Sequence, residues 1–190
     1  MNKKKSDKMF SLHPLIRLLM WWMVLSLPLG ALAQTIASRE YNIKAVFLYN
    51  FTRFAEWPDN AFKNASDDFI IGIVGDDPFG GLLDQTVSGE KVNGHRILIQ
   101  RYASNDDIQA CHILFIAATQ QENVIEIIKS LNGASTLTVS DLPAFAGEGG
   151  MIGFKLENNK IKLQINLAVV KSSQINISSK LLRLAEVVGQ

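Results

Sequence analysis

Cysteine is nearly absent from the 190 residues: Cys111 stands alone, so no intramolecular disulfide can form in any compartment. Histidine is almost as scarce, and His13, His95 and His112 offer no spacing that would hold a metal ion. Cys111 and His112 are adjacent, but neighbours on a strand point to opposite faces, which excludes a nucleophile and base acting as a pair. No glycine-rich phosphate loop is present, and no motif calls for a cofactor. The sequence therefore gives no sign of an enzyme and names no catalytic residue. Repeats, low-complexity tracts and long linkers are also missing, as is any excess of one charge, with 19 Lys and Arg against 18 Asp and Glu.

Long apolar runs are confined to the N-terminus. Lys3, Lys4, Lys5 and Lys8 precede an apolar stretch from Leu18 through Leu29, interrupted by Ser26 and Pro28 and followed by Ala31-Leu32-Ala33. This pattern predicts a signal peptide over residues 1–33, cut between Ala33 and Gln34, that exports the rest of the chain to the periplasm. The apolar stretch falls short of the roughly 20 residues that span a bilayer, although extending it back to Leu15 leaves an uncleaved anchor as the alternative. No cysteine follows Ala33, so lipid attachment is not expected. Five of the basic residues and one acidic residue lie before the cut, leaving 14 against 17 and a net charge of −3. Such a chain lacks the basic footprint that binds nucleic acid, which is excluded as a partner. Residues 34–190 are enough for a single domain with its own core.

Within that domain the spacing predicts a helix over 38–57, capped by Ser38 and stopped by Pro58, with Ile43, Phe47, Phe51 and Phe54 on its core face. Strands are predicted at 69–74, 96–100, 113–117 and 136–140, with a short helix begun by Asp77-Pro78 and an amphipathic helix over 122–131. Asn158-Asn159 marks a hairpin between strands at 151–157 and 160–165. Asn166 can cap a short helix and Ser178 a final one, with Leu181, Leu184, Ala185 and Val188 facing the core. Alternating strands and helices predict an α/β fold: a mostly parallel central sheet of about six strands with an antiparallel C-terminal hairpin and helices on both faces.

The candidate sites are surfaces. Asn42, Val46, Tyr49, Asn50, Arg53, Glu56 and Trp57 form a second stripe along the first helix, a mixture of aromatic and polar groups suited to contact with a partner or ligand. Glycines around Glu148 expose backbone in the loop 142–150, where Phe145 either joins a binding loop or folds back into the core. Asp76-Asp77 follows a strand, where such folds hold ligands; capping and turn formation compete there with cation or sugar binding. Cys111 reads as a small core hydrophobe, with a redox-active or intermolecularly paired thiol as the alternative.

Two stretches carry a resemblance. Tyr41-Asn-Ile-Lys-Ala-Val-Phe-Leu-Tyr-Asn-Phe-Thr-Arg-Phe-Ala-Glu-Trp-Pro58 is similar to the opening signature of the YfiR family. Gly149-Gly-Met-Ile-Gly-Phe-Lys-Leu-Glu-Asn-Asn, Ile165-Asn-Leu and Ile177-Ser-Ser-Lys-Leu-Leu-Arg-Leu-Ala185 extend the likeness over nearly the whole exported chain. The resemblance implies a periplasmic repressor that binds the sensor region of an inner-membrane diguanylate cyclase of the YfiN type, lowering cyclic di-GMP and with it biofilm growth. It also implies a homodimer and, in members with paired cysteines, redox control through disulfides. Here the lone Cys111 leaves only an intermolecular bond. The other expectation is a small-molecule sensor or solute-binding module serving another membrane signalling protein.

Overall fold

Six apolar residues, Phe69 to Val74, can run without polar relief only where both sides of a strand are covered, and this stretch is β2, inside the central sheet. The computed structural model describes residues 29–64 and 66–189, with side-chain environments from Ser38 onward. Residues 1–28, which carry most of the expected signal peptide, lie outside the described residues.

In chain order the elements are α1 (Leu29–Phe54), β1 (Ala55–Glu56), β2 (Phe69–Val74), α2 (Gly81–Val87), β3 (Lys91–Val92), β4 (His95–Tyr102), β5 (Ile113–Ile116), α3 (Val124–Ser130), β6 (Leu137–Ser140), β7 (Ile152–Glu157), β8 (Lys160–Asn166), α4 (Leu167–Ser172), β9 (Asn176–Ile177), α5 (Ser179–Leu182) and β10 (Ala185–Val188). Short 3₁₀ turns occupy Asp59–Ala61, Asn105–Asp107 and Ala118–Asn123. Eight strands form one sheet in the order β10-β8-β7-β6-β5-β2-β4-β3, and β1 pairs separately with β9. Strands β4, β2, β5, β6 and β7 are mutually parallel, β8 returns antiparallel to β7, and β10 runs parallel to β8. The fold class thus matches the expectation, and the sheet gains β3 and β10 at its edges.

The pleat divides the core in two. Ile71, Ile73, Ile113, Phe115, Val139 and Ile152 face the layer of α1, α2, α4 and α5, where Ala45, Leu48, Phe51, Leu83, Val170 and Leu181 are buried. Val74, Cys111, Leu114 and Ile116 face the other way, onto Ile127 of α3 and onto Leu142 and Phe145. Asn158 and Asn159 take positive φ angles of 51° and 58° at the hairpin tip. Asn166 and Ser178 cap α4 and α5 by accepting from Val169 N and Leu181 N.

Four expectations are corrected. The first helix reaches back to Leu29, so Ser38 is interior, and it stops at Phe54 because the Phe54 carbonyl accepts from Ser178 N while Ala55–Glu56 pairs with β9. Its core stripe runs through Ala45, Leu48 and Phe51, with the expected Phe47 and Phe54 packed against the core at its margins, and only Ile43, 42% exposed, falls outside it. Gly80, not Asp77, stands at the N-cap of α2, and Asp77 instead accepts from Phe79 N within the preceding turn. The last helix ends at Leu182, so that Ala185 and Val188 enter an edge strand and Leu184 is 68% exposed.

Loop 142–150 is tightly wound: Gly147 N and Glu148 N donate to the Ala144 carbonyl, and Gly150 N donates to that of Phe145. Phe145 is only 3% exposed, folded against Gly150. A Cβ on Gly150 would overlap the Phe145 ring, whereas one on Gly81 meets nothing nearer than Gln85 at 3.8 Å. Gly150→Ala should lower stability by about 1–3 kcal/mol through overpacking, and Gly81→Ala should leave it unchanged or raise it by less than about 1 kcal/mol, both read by urea unfolding.

Candidate functional site

Helical spacing places Asn42, Val46, Asn50 and Arg53 on one side of α1, and burial of Ala45, Leu48 and Phe51 turns that side outward. Val46 is 49% exposed and, with Ile43, forms an aliphatic patch flanked by Asn42, Asn50 and Arg53. Among the described residues Arg53 makes no ion pair. Tyr49 lies at the margin of this face and donates its hydroxyl to Glu90 Oε2 at 2.6 Å, a bond that raises its pKa above the usual phenol value. The helix thus joins exposed polar groups to exposed aliphatics, the composition of a contact surface.

The other sequence candidates divide. Glu56 is exposed on β1. Trp57 is half-buried, its Nε1 donating to the His112 carbonyl at 3.1 Å and its ring set edge-on to Phe69. Phe145 and Glu148 do not join the α1 surface: Phe145 packs on the opposite side of the sheet, and Glu148 is exposed in the loop that follows it.

Trp57 borders a cleft of about 350 Å³ whose lining includes Asp59, Phe62, Lys63, Asn93 and His95. Phe62 is sandwiched between the rings of His95 and His112, with centroids 4.0 and 4.4 Å away, and His112 stacks in turn on Phe69 at 4.6 Å. Both faces of Phe62 are therefore taken by the protein itself. This stack escaped sequence reading because its rings come from separate segments, none carrying a motif.

Lys44 also escaped notice, although a lysine between Ile43 and Ala45 on an apolar helix was a visible signal. It is 2% exposed, and its ammonium lies 2.5 Å from both Glu40 and Asp141 and 4.3 Å from the centre of the Tyr41 ring. Tyr41 donates its hydroxyl to Asp141 at 2.9 Å, and burial, reinforced by the two carboxylates, pushes that hydroxyl's pKa upward. The cluster fastens α1 to Asp141, the residue that follows β6. Cys111 is equally inert: burial raises its thiol to about 12, leaving it protonated and a poor nucleophile.

At the switch point between β2 and β5, Asp76 N donates to Thr119 Oγ1 and Gly75 lies against Thr119 and Gln120, while the Asp76 side chain stays exposed. Asp77 is paired with Arg101 at 2.7 Å. No cluster of His, Cys, Asp or Glu suited to a metal ion occurs among the described residues. Lys44→Ala, which leaves the Asp141 carboxylate without its cation and held only by the Tyr41 hydroxyl, should cost about 3–5 kcal/mol of stability in urea unfolding.

The comparisons with known proteins concern the whole domain. A family described as DUF4154, YfiR/HmsC-like, matches residues 41–186. No curated protein matches. A solved structure titled as a conserved domain protein from Vibrio cholerae O1 biovar eltor str. N16961 is 14% identical, with a TM-score of 0.48, over 62% of this chain and 54% of that one. This chain thus spans about half the length of that protein. The family match takes in both the α1 signature and the C-terminal hairpin, and on that breadth the chain belongs to the YfiR/HmsC-like family.

Proposed function

We propose that this chain is an exported regulator that docks, through the outward face of α1, on the periplasmic region of an inner-membrane diguanylate cyclase of the YfiN type and holds it inactive. The carrying observation is a helix that buries one stripe under the sheet while presenting Ile43, Val46, Asn50 and Arg53 to solvent, within the segment that bears the family signature. Membership in the family links the chain to periplasmic regulation of diguanylate cyclase signalling. Export is consistent with the N-terminal pattern of residues 1–33, and no described helix is long and apolar enough to cross a membrane. Such a regulator needs no reactive group, and the buried, protonated Cys111 suits that role.

A second copy of the chain could occupy the same face, giving the expected homodimer. The small-molecule reading has its own support in the cleft beside Trp57, where Asp59 and Lys63 stand near aromatic walls. A thermal-shift screen against envelope metabolites tests it, and a shift abolished by changing Asn93 would favour it.

Trp57 is a poor probe of docking, since its removal would strip a hydrogen bond and a packed ring from the domain. Val46→Asp changes an exposed side chain, and Arg53→Glu changes an exposed one that also neighbours the Tyr49 hydroxyl. Each should weaken partner binding by about 2 kcal/mol or more, roughly thirtyfold, raise cellular cyclic di-GMP and leave the melting temperature in place. Unchanged cyclic di-GMP with normal protein levels would remove α1 from the interface. A shift from dimer to monomer in sedimentation, with cyclic di-GMP unaltered, would assign the face to self-association.

A further inference from the structure

His112 is the residue before β5, and three separate segments meet on it. Its backbone N donates to the Ile70 carbonyl at 2.9 Å, and its own carbonyl accepts from Leu137 N and from Trp57 Nε1. Its ring nitrogen Nδ1 lies 3.0 Å from Ile70 N. A backbone amide can only donate, so Nδ1 must keep its lone pair and the proton of the neutral ring must sit on Nε2. Nε2 is buried and makes no hydrogen bond of good geometry, with the Ala61 backbone its nearest polar partner, one that favours the proton there.

The ring is tightly held. Phe62 and Phe69 both stack on it and lie 6.3 Å from each other, and turning it over would set a carbon against the Ile70 amide in place of a nitrogen. A second proton could enter only at Nδ1, where its N–H would meet the Ile70 N–H head-on. We propose that His112 is an acid-sensitive latch: protonation at Nδ1 drives the ring off Phe62 and Phe69, frees the Ile70 amide and loosens the Trp57–Phe62 segment from the sheet.

The charged surroundings do little to rescue the imidazolium. From β4, His95 stands on the far face of Phe62 and opposes a second positive charge, with its Nδ1 donating to the Asp67 carbonyl. From the loop before β2, the Asp67 carboxylate favours the charge but already accepts from Lys63 N and Asn64 N. The turn after Pro58 contributes the Ala61 carbonyl and the Phe62 ring, the end of α1 contributes the Trp57 indole, and Asp59 and Lys63 border the cleft beside His95. Burial therefore dominates and holds the His112 imidazole below the ordinary histidine range. A depressed histidine pKa makes the closed state fully stable above the ordinary value of about 6.5 and progressively less so as pH falls toward the folded value.

The test uses hydrogen exchange and NMR titration of the purified protein. With the intrinsic chemistry divided out, the Ile70 amide should exchange about tenfold faster for each pH unit below about 6.5. The Leu114 amide, in the middle of the sheet, should not follow it. His112→Gln supplies an acceptor that does not titrate and should abolish the slope, whereas His95→Gln should retain it. The latch is overturned if the wild-type Ile70 slope is flat, if His112 titrates without moving it, or if His112→Gln keeps it. Should that variant fail to fold, the wild-type titration decides alone. None of these readings involves a partner, so the latch and the docking surface stand or fall separately.

Discussion

The seating of α1 on the sheet governs everything else in this domain. Ala45, Leu48 and Phe51 bring the helix down on the strands, and the Lys44 ammonium, caught between Glu40 and Asp141, fixes its rotation. A buried charge tolerates no slippage, because turning the helix would strand the lysine in an apolar layer or pull it from its carboxylates. The rotation fixed on the inner side also decides which residues look outward. Core packing and the proposed contact surface are thus two sides of one constraint.

The order of strands and helices was legible because it depends on local pattern. β2, β5 and β6 are short β-branched runs bounded by turns, and Asn158-Asn159 carries its hairpin through the backbone conformations that asparagine tolerates. The final strand was not legible. Ala185–Val188 reads equally well as the end of a helix, and only the free edge of β8 makes it extended. On the helix, Phe47, Phe51 and Phe54 were legible as core, whereas Ile43 turned outward and the buried Ala45 and Leu48 carried no distinct signal.

For the site, the outward stripe of α1 could be read from spacing alone, but where the loop around Glu148 lies relative to it could not. The helix and the loop lie over opposite faces of the sheet, and sequence proximity says nothing about which face a crossover chooses. The histidine and phenylalanine stack was invisible for a related reason. His95, Phe62, His112 and Phe69 meet only after strands from distant parts of the chain come into register.

The small ladder between Ala55–Glu56 and Asn176–Ile177 joins segments about 120 residues apart. The Phe54 carbonyl, where α1 stops, is satisfied by Ser178. A polypeptide threaded N-terminus first into a new compartment would carry this helix across early, yet could not anchor its C-terminal end until the last few residues had followed. The end of α1 is thus held by residues at the far end of the chain, so a fragment lacking its tail would leave the Phe54 carbonyl and the Ala55–Glu56 edge without their partners.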